Sequence, residues 1–187
     1  RIQHNQYGAI YGNMTRATLK HCYIIDNGPC DGSVLVECDG LIQNCLIADN
    51  MADGDCGLYP VIYRCSAAFV NCTIANNDSG IHVNNASFED CILYHNVDPN
   101  IYVEGRGEAE GSLTLYDCCV EGASPVSRTG DSEVPNIVPA EGAIVTLGHI
   151  WQDDPLFVRL GTKSGGVHGE TSSHSSLGDY HLKTPAW

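Results

Sequence analysis

Residues 44–57, NCLIADNMADGDCG, admit two readings. Asp49, Asp53 and Asp55 space hard oxygen donors as an exposed calcium loop does, with backbone carbonyls to complete the shell. Asn44-Cys45-x-Ile47-x-x-Asn50, in contrast, is one line of a repeat. Five segments align on a cysteine: LKHCYIIDN ending at Asn27, IQNCLIADN at Asn50, FVNCTIANN at Asn77, FEDCILYHN at Asn96 and LYDCCVEGA at Ala123. The anchors Cys22, Cys45, Cys72, Cys91 and Cys118 are separated by 23, 27, 19 and 27 residues. Two positions after each stands Ile24, Ile47, Ile74, Leu93 or Val120, and five positions after the first four stands an asparagine. The repeat is therefore primary, and the acidic residues belong to the loop after one of its lines.

Upstream of the anchors, GAIYGNMT, GSVLVECDG, PVIYRCSAA and GIHVNNAS are short apolar strands broken by Gly, Asn, Asp or Ser. Each unit thus holds two or three alternating runs and no helical periodicity. Alternation places the anchor and the +2 aliphatic residue on one face, so units stacked about 4.8 Å apart build a core from ladders of like residues. The +5 Asn is expected at a corner, in the left-handed conformation, with its amide bonded to the units above and below. An all-β, right-handed parallel β-helix of about five to six coils over residues 1–149, with an irregular tail over 150–187, fits this pattern. Leucine-rich repeats and propellers do not. RIQHN superposes on the second half of a unit, with Ile2 at +2 and Asn5 at +5, so the chain is expected to start in mid-coil. That reads as the carboxyl-terminal part of a longer protein or as an open coil covered by another chain, with self-association as the consequence.

Of 187 residues, 43% are apolar and 17% charged, enough for a sizeable core. Nine Lys and Arg against 23 Asp and Glu give a net charge of -14, which repels phosphate backbones and disfavours nucleic acid. No apolar run is long enough to span a membrane. Ten cysteines occur without any C-x-x-C or zinc-like Cys/His spacing. The five anchors read as a reduced ladder of small apolar residues. Cys30 and Cys56 come after the +5 Asn of consecutive units and are expected to form a disulfide; Cys38 and Cys65, each seven residues before an anchor, either stack or bridge.

The motif NCTIANN at 71–77, together with DPLF at 154–157, GDYHL at 178–182 and the Thr184-Pro185-Ala186 segment, resembles the secreted bacterial right-handed β-helix proteins of the pectin-lyase-like superfamily. The resemblance implies an extracellular or cell-surface location. It also implies two kinds of enzyme: lyases with a cationic base beside a metal, and hydrolases with clustered aspartates. The paired aspartates of the hydrolases are missing, and Asp153-Asp154 belongs to the tail motif. Arg64, Lys20 and Arg106 are the candidate lyase bases, Arg64 in a strand beside Cys65. His82 and His95 read as strand or corner histidines rather than ligands. Tyr59, Tyr63 and Tyr94 offer surface for stacking on sugars, with Tyr102 and Tyr116 further along. The favoured reading is a non-catalytic structural or adhesive module, with an extracellular polysaccharide or another surface protein as partner and Ca2+ at the acidic loop as its one expected cofactor.

Overall fold

A computed structural model describes residues 1–5, 8–28, 32–51, 59–96, 101–121, 137–151, 155, 157–159 and 179–182. After a half coil, β1 (Ile2–Gln3), each coil contributes three short strands. The first has β2 (Ile10–Thr15), β3 (Thr18–Lys20) and β4 (Tyr23–Ile25); the second has β5 (Leu35–Cys38), β6 (Leu41–Gln43) and β7 (Leu46–Ala48). The third has β8 (Ile62–Cys65), β9 (Ala68–Val70) and β10 (Thr73–Ala75); the fourth has β11 (Ile81–Val83), β12 (Asn85–Glu89) and β13 (Ile92–Tyr94). The fifth has β14 (Ile101–Val103), β15 (Ser112–Tyr116) and β16 (Cys118–Val120); the sixth has β17 (Ile137–Pro139), β18 (Ile144–Leu147) and β19 (Ile150–Trp151). Every pairing between coils is parallel, and each strand pairs with its counterparts one coil away. The result is a β-helix with a flank sheet (β2 to β17), a middle sheet (β3 to β18) and an anchor sheet (β1 to β19). Two tail strands, β20 (Phe157–Arg159) and β21 (Asp179–Leu182), pair antiparallel and so join the two tail motifs to each other.

Register turns the repeat into columns. The anchor sheet stacks Ile2, Ile24, Ile47, Ile74, Leu93 and Val120 inward. The middle sheet stacks Leu19, Ile42, Phe69, Phe88, Leu115 and Leu147, and the flank sheet Ile10, Leu35, Ile62, Ile81, Ile101 and Ile137. Most of these side chains are fully buried, each worth about 1.5–3 kcal/mol of transfer free energy. Phe69 and Phe88 lie face to face, 4.5 Å apart and 7° from parallel. Close approach of coils also demands a glycine: a Cβ on Gly40 would sit 1.8 Å from the Ala17 carbonyl oxygen of the coil before.

The corners share one device. A residue in the left-handed conformation turns the chain and the next residue points inward; each inward cysteine, and Asn5 and Asn27, hydrogen-bonds the carbonyl two positions before it. Between middle and anchor sheets the pairs are His21-Cys22, Asn44-Cys45, Asn71-Cys72, Asp90-Cys91 and Asp117-Cys118, the first member near φ 50–54 in each. At the next corner they are His4-Asn5, Asp26-Asn27, Asp49-Asn50, Asn76-Asn77 and His95-Asn96. Between flank and middle sheets, Glu37-Cys38 and Arg64-Cys65 do the same. Cys45 Sγ donates to the Gln43 carbonyl at 3.3 Å, Cys91 Sγ to Glu89 at 3.2 Å, and Asn27 Nδ2 to Ile25 at 3.1 Å. Left-handed backbone costs about 1–2 kcal/mol for a residue with a side chain, least for Asn and Asp, and a hydrogen bond returns about 0.5–1.5 kcal/mol. All the non-glycine left-handed positions but Met14, Glu37 and Arg64 are Asn, Asp or His. The expectation that the +5 Asn takes the left-handed turn is corrected: the +4 residue does, which leaves the +5 side chain free to face inward.

The +5 asparagines form a continuous ladder. Nδ2 of Asn5, Asn27, Asn50 and Asn77 donates to Oδ1 of Asn27, Asn50, Asn77 and Asn96 at 2.8, 3.0, 2.9 and 2.7 Å. The backbone N–H of each donor residue reaches the same oxygen at 3.1–3.3 Å. The second Nδ2 proton goes to a carbonyl of the preceding coil, as from Asn50 to Ile24 and from Asn77 to Ile47. Each interior amide is thus fully satisfied.

The cysteines stack as free thiols. Cys45, Cys72, Cys91 and Cys118 are buried, and Cys22, in the first coil, is partly exposed. Cys38 and Cys65, which the sequence leaves either stacked or bridged, are stacked: both are free, and the Cys38 amide N–H donates to Cys65 Sγ at 3.3 Å. In-register parallel strands hold their Cβ atoms at strand spacing and aim them the same way, which is poor disulfide geometry. Hydrogen bonding to the Cys38 thiol, then burial, pushes the Cys65 thiol above the ordinary range; hydrogen bonding to Cys118 and Cys72, then burial, does the same for Cys91. Cys30 and Cys56 lie outside the described residues.

Asn77→Asp replaces a donor pair with an acceptor aimed at the Ile47 carbonyl and Asn96 Oδ1; it should lower stability by about 3 kcal/mol or more, read from urea midpoints at neutral pH. In alkylation with detection by mass spectrometry, Cys22 and Cys119 should label in the native protein while Cys45, Cys65, Cys72, Cys91 and Cys118 label only on unfolding, without reductant. Equal labelling rates would rule out the protected ladder.

Candidate functional site

On the flank sheet the residues between the inward isoleucines face out. Register aligns Tyr11, Val36, Tyr63, His82, Tyr102 and Val138 in one column across six coils. The His82 ring lies 6.2 Å from that of Tyr63 and 4.9 Å from that of Tyr102, tilted by 50° and 45°. Each of the three is partly exposed, so the tilted rings show part of their faces and edges to solvent. The local pattern behind them is Ile62-Tyr63, Ile81-His82-Val83 and Ile101-Tyr102-Val103: an aliphatic residue in, an aromatic ring out.

Arg64 borders this column. It sits in a register irregularity of β8, at φ 52, and its guanidinium lies 4.9 Å over the Tyr63 ring. In the fourth coil Tyr63 pairs with His82 and Cys65 with Val83, so no residue stands opposite Arg64. Through that gap Arg64 Nε reaches Glu104 Oε1 of the fifth coil at 3.2 Å. Hydrogen bonding to Glu104 raises the Arg64 pKa further still. Glu37, the equivalent residue of the second coil, adds a second carboxylate near the guanidinium.

The segment after β14 supplies a second cross-coil tie. Arg106 and Ala109 exchange backbone hydrogen bonds at 3.0 and 3.2 Å, closing a tight turn with Gly107 at φ 64. The turn brings Arg106 Nη1 to 3.3 Å from Asp39 Oδ2 of the second coil, and Asp39 Oδ1 accepts the Ser66 N–H at 3.1 Å. Below it Asn84, buried at the flank-to-middle corner, donates from Nδ2 to the Gly105 carbonyl at 3.4 Å. Burial lowers the His82 pKa, opposed by the charge of Glu104, which favours the neutral form of the imidazole between the two tyrosines.

The other residues singled out by sequence do not join this face. Tyr59 is exposed ahead of β8, whereas Tyr94 is on the anchor sheet, buried and edge-on to His95 at 4.6 Å. Tyr63 and Tyr94 stand close in sequence to a cysteine but on opposite sides of it, which puts them on different sheets. Lys20 is exposed on the middle sheet in the first coil, remote from Arg64. Asp49 is buried at its corner and accepts a hydrogen bond from Asn76 Nδ2 at 2.7 Å. Asp53 and Asp55, its expected calcium partners, lie outside the described residues, and no group of three or more metal-ligating residues occurs among the described ones. Glu104 and its pairing with Arg64 have no counterpart in the repeat; the recurring Ile-aromatic-Val at 81–83 and 101–103 is the one sequence signal for this face.

Three parallel sheets wound coil on coil, with ladders inside and a ring column outside, define a β-helix module. The family model for a right-handed β-helix region matches residues 1–120, and the chain belongs to that family. The coils continue beyond the matched region through β19. No curated protein and no solved structure matches the chain. No helix among the described residues is long and apolar enough to cross a membrane.

Because folding lowers the His82 pKa, the unfolded chain binds the proton at higher pH than the native protein does. Stability should therefore fall on acidification from the ordinary histidine value of 6.5 down to the lowered one, and His82→Gln should lose that part of the dependence. Urea midpoints of both proteins between pH 7 and pH 5 measure it.

Proposed function

We propose that this β-helix module is non-catalytic and works outside the cell or at its surface, holding a glycan along the outer face of the flank sheet. The observation that carries the reading is the Tyr63–His82–Tyr102 column, three partly exposed rings at successive coils on a rigid sheet. Aromatic rings bury the apolar faces of sugars, and the phenol hydroxyls supply hydrogen bonds at their rims. Because the rings are mounted on paired strands rather than loops, little ordering is lost on binding.

The chemistry at Arg64 supports binding over bond cleavage. A lyase base must take up a proton, but the Arg64 guanidinium is paired with Glu104 and held cationic. The enzyme alternative, cleavage of a uronate polymer, would therefore have to use another base.

Isothermal titration against a panel of glycan oligomers tests the reading. Tyr102→Val keeps the strand, since Val36 and Val138 occupy the same column, and should weaken binding at least tenfold, about 1.4 kcal/mol. Tyr59→Ala should leave affinity unchanged. Unsaturated, ultraviolet-absorbing products from a uronate polymer would overturn the non-catalytic reading.

A further inference from the structure

We infer that the Tyr63–His82–Tyr102 face takes a chain of uncharged sugars and rejects polyuronates and other anionic glycans, because among the described residues the two cations assigned to it, Arg64 and Arg106, are bound to carboxylates. The inference rests on the glycan-binding reading above and adds the class of glycan. Arg64 is held by Glu104 at 3.2 Å and stacked over Tyr63, and Arg106 is held by Asp39 at 3.3 Å. Both pairs tie one coil to another, Arg64 from the third coil to the fifth and Arg106 from the fifth to the second. They are thus part of the framework that holds the segment after β14 in place. Glu37 lies beside Arg64 with its own negative charge. Arg16 and Lys20 belong to the first coil, two coils before Tyr63.

A uronate carboxylate arriving at this face meets Glu37, Glu104 and Asp39 together with two cations whose strongest partners are in place. At the Nε edge of Arg64 it must displace Glu104, which exchanges one carboxylate for another and leaves Glu104 without its partner; at the Nη edge it meets a guanidinium whose charge Glu104 and Glu37 already offset. The net charge of -14 adds a general repulsion toward polyanions. An uncharged hexose chain incurs neither cost. It meets ring faces, phenol hydroxyls and a half-buried imidazole, groups that recognise C–H surface and hydroxyls.

The test compares neutral hexose hexamers of several linkages with a hexagalacturonate, at low and at physiological salt, on the full chain. Wild type is expected to bind at least one neutral hexamer at least tenfold more tightly than the uronate. Glu104→Gln frees Arg64 and should narrow that ratio at least fivefold, through tighter uronate binding that fades with salt. Neutral affinity should stay within about twofold, since the same rings are in place. Asp39→Asn, which frees Arg106 and keeps an acceptor for Ser66, is the second variant and should move the ratio the same way. Thermal melts of both variants confirm the fold.

Wild type binding the uronate as well as or better than every neutral hexamer overturns the inference while the glycan-binding reading stands. A ratio unmoved in both variants also overturns it. Absence of binding to either class brings down both readings.

Discussion

At most corners of the solenoid a left-handed residue turns the chain, and the side chain of its successor points inward and bonds a backbone carbonyl. A strand of three or four residues buries little, so the molecule gains its core only if the chain turns sharply and returns in register after 19 to 27 residues. The turn leaves a carbonyl pointing into the coil, and the next side chain must be small enough to fit and polar enough to bond it. Cysteine satisfies this at two corners, asparagine at the third. The cysteines are therefore not spare thiols in an oxidising protein. They are the smallest apolar side chains that still offer a proton to a carbonyl.

Identical corners permit unequal coils, and inequality is where the candidate site arises. The fourth coil lacks a residue opposite Arg64, and the fifth carries the extra turn from Glu104 to Glu110. Glu37 and Arg64 take the equivalent corner position of successive coils, so an anion and a cation already stand side by side there. The skipped position lets a cation reach past its neighbour to a carboxylate two coils away. One omitted residue thus accompanies both the Arg64–Glu104 pair and the placement of the guanidinium over the Tyr63 ring.

The core is legible in the sequence because its chemistry repeats. Cysteine, +2 aliphatic and +5 asparagine recur at constant offsets, and each offset maps directly onto one column. The assignment of the turn misses by one residue for a physical reason: Asp26-Asn27, Asp49-Asn50 and Asn76-Asn77 are all polar pairs, and either member tolerates the left-handed region. Only the ladder geometry separates the residue that turns from the residue that bonds. The outer face is less legible. Tyr63 and His82 stand at one spacing from their anchors, but Tyr102 stands farther from Cys118 because the turn from Glu104 to Glu110 falls between, and the Arg64–Glu104 contact joins residues 40 apart in the chain. Local patterns specify which way a side chain points; they do not specify which outward neighbours a register irregularity brings together.

The asparagine ladder is also directional. Every side-chain bond in it runs the same way, from the amide nitrogen of one coil to the oxygen of the next, without a reversal from Asn5 to Asn96. The side-chain dipoles therefore add along the solenoid axis, and each amide is polarised by those on either side of it. The column is a line of aligned dipoles through an interior built otherwise of aliphatic, aromatic and thiol side chains. Its two ends are electrically unlike, so the solenoid has a head and a tail even where its coils look alike.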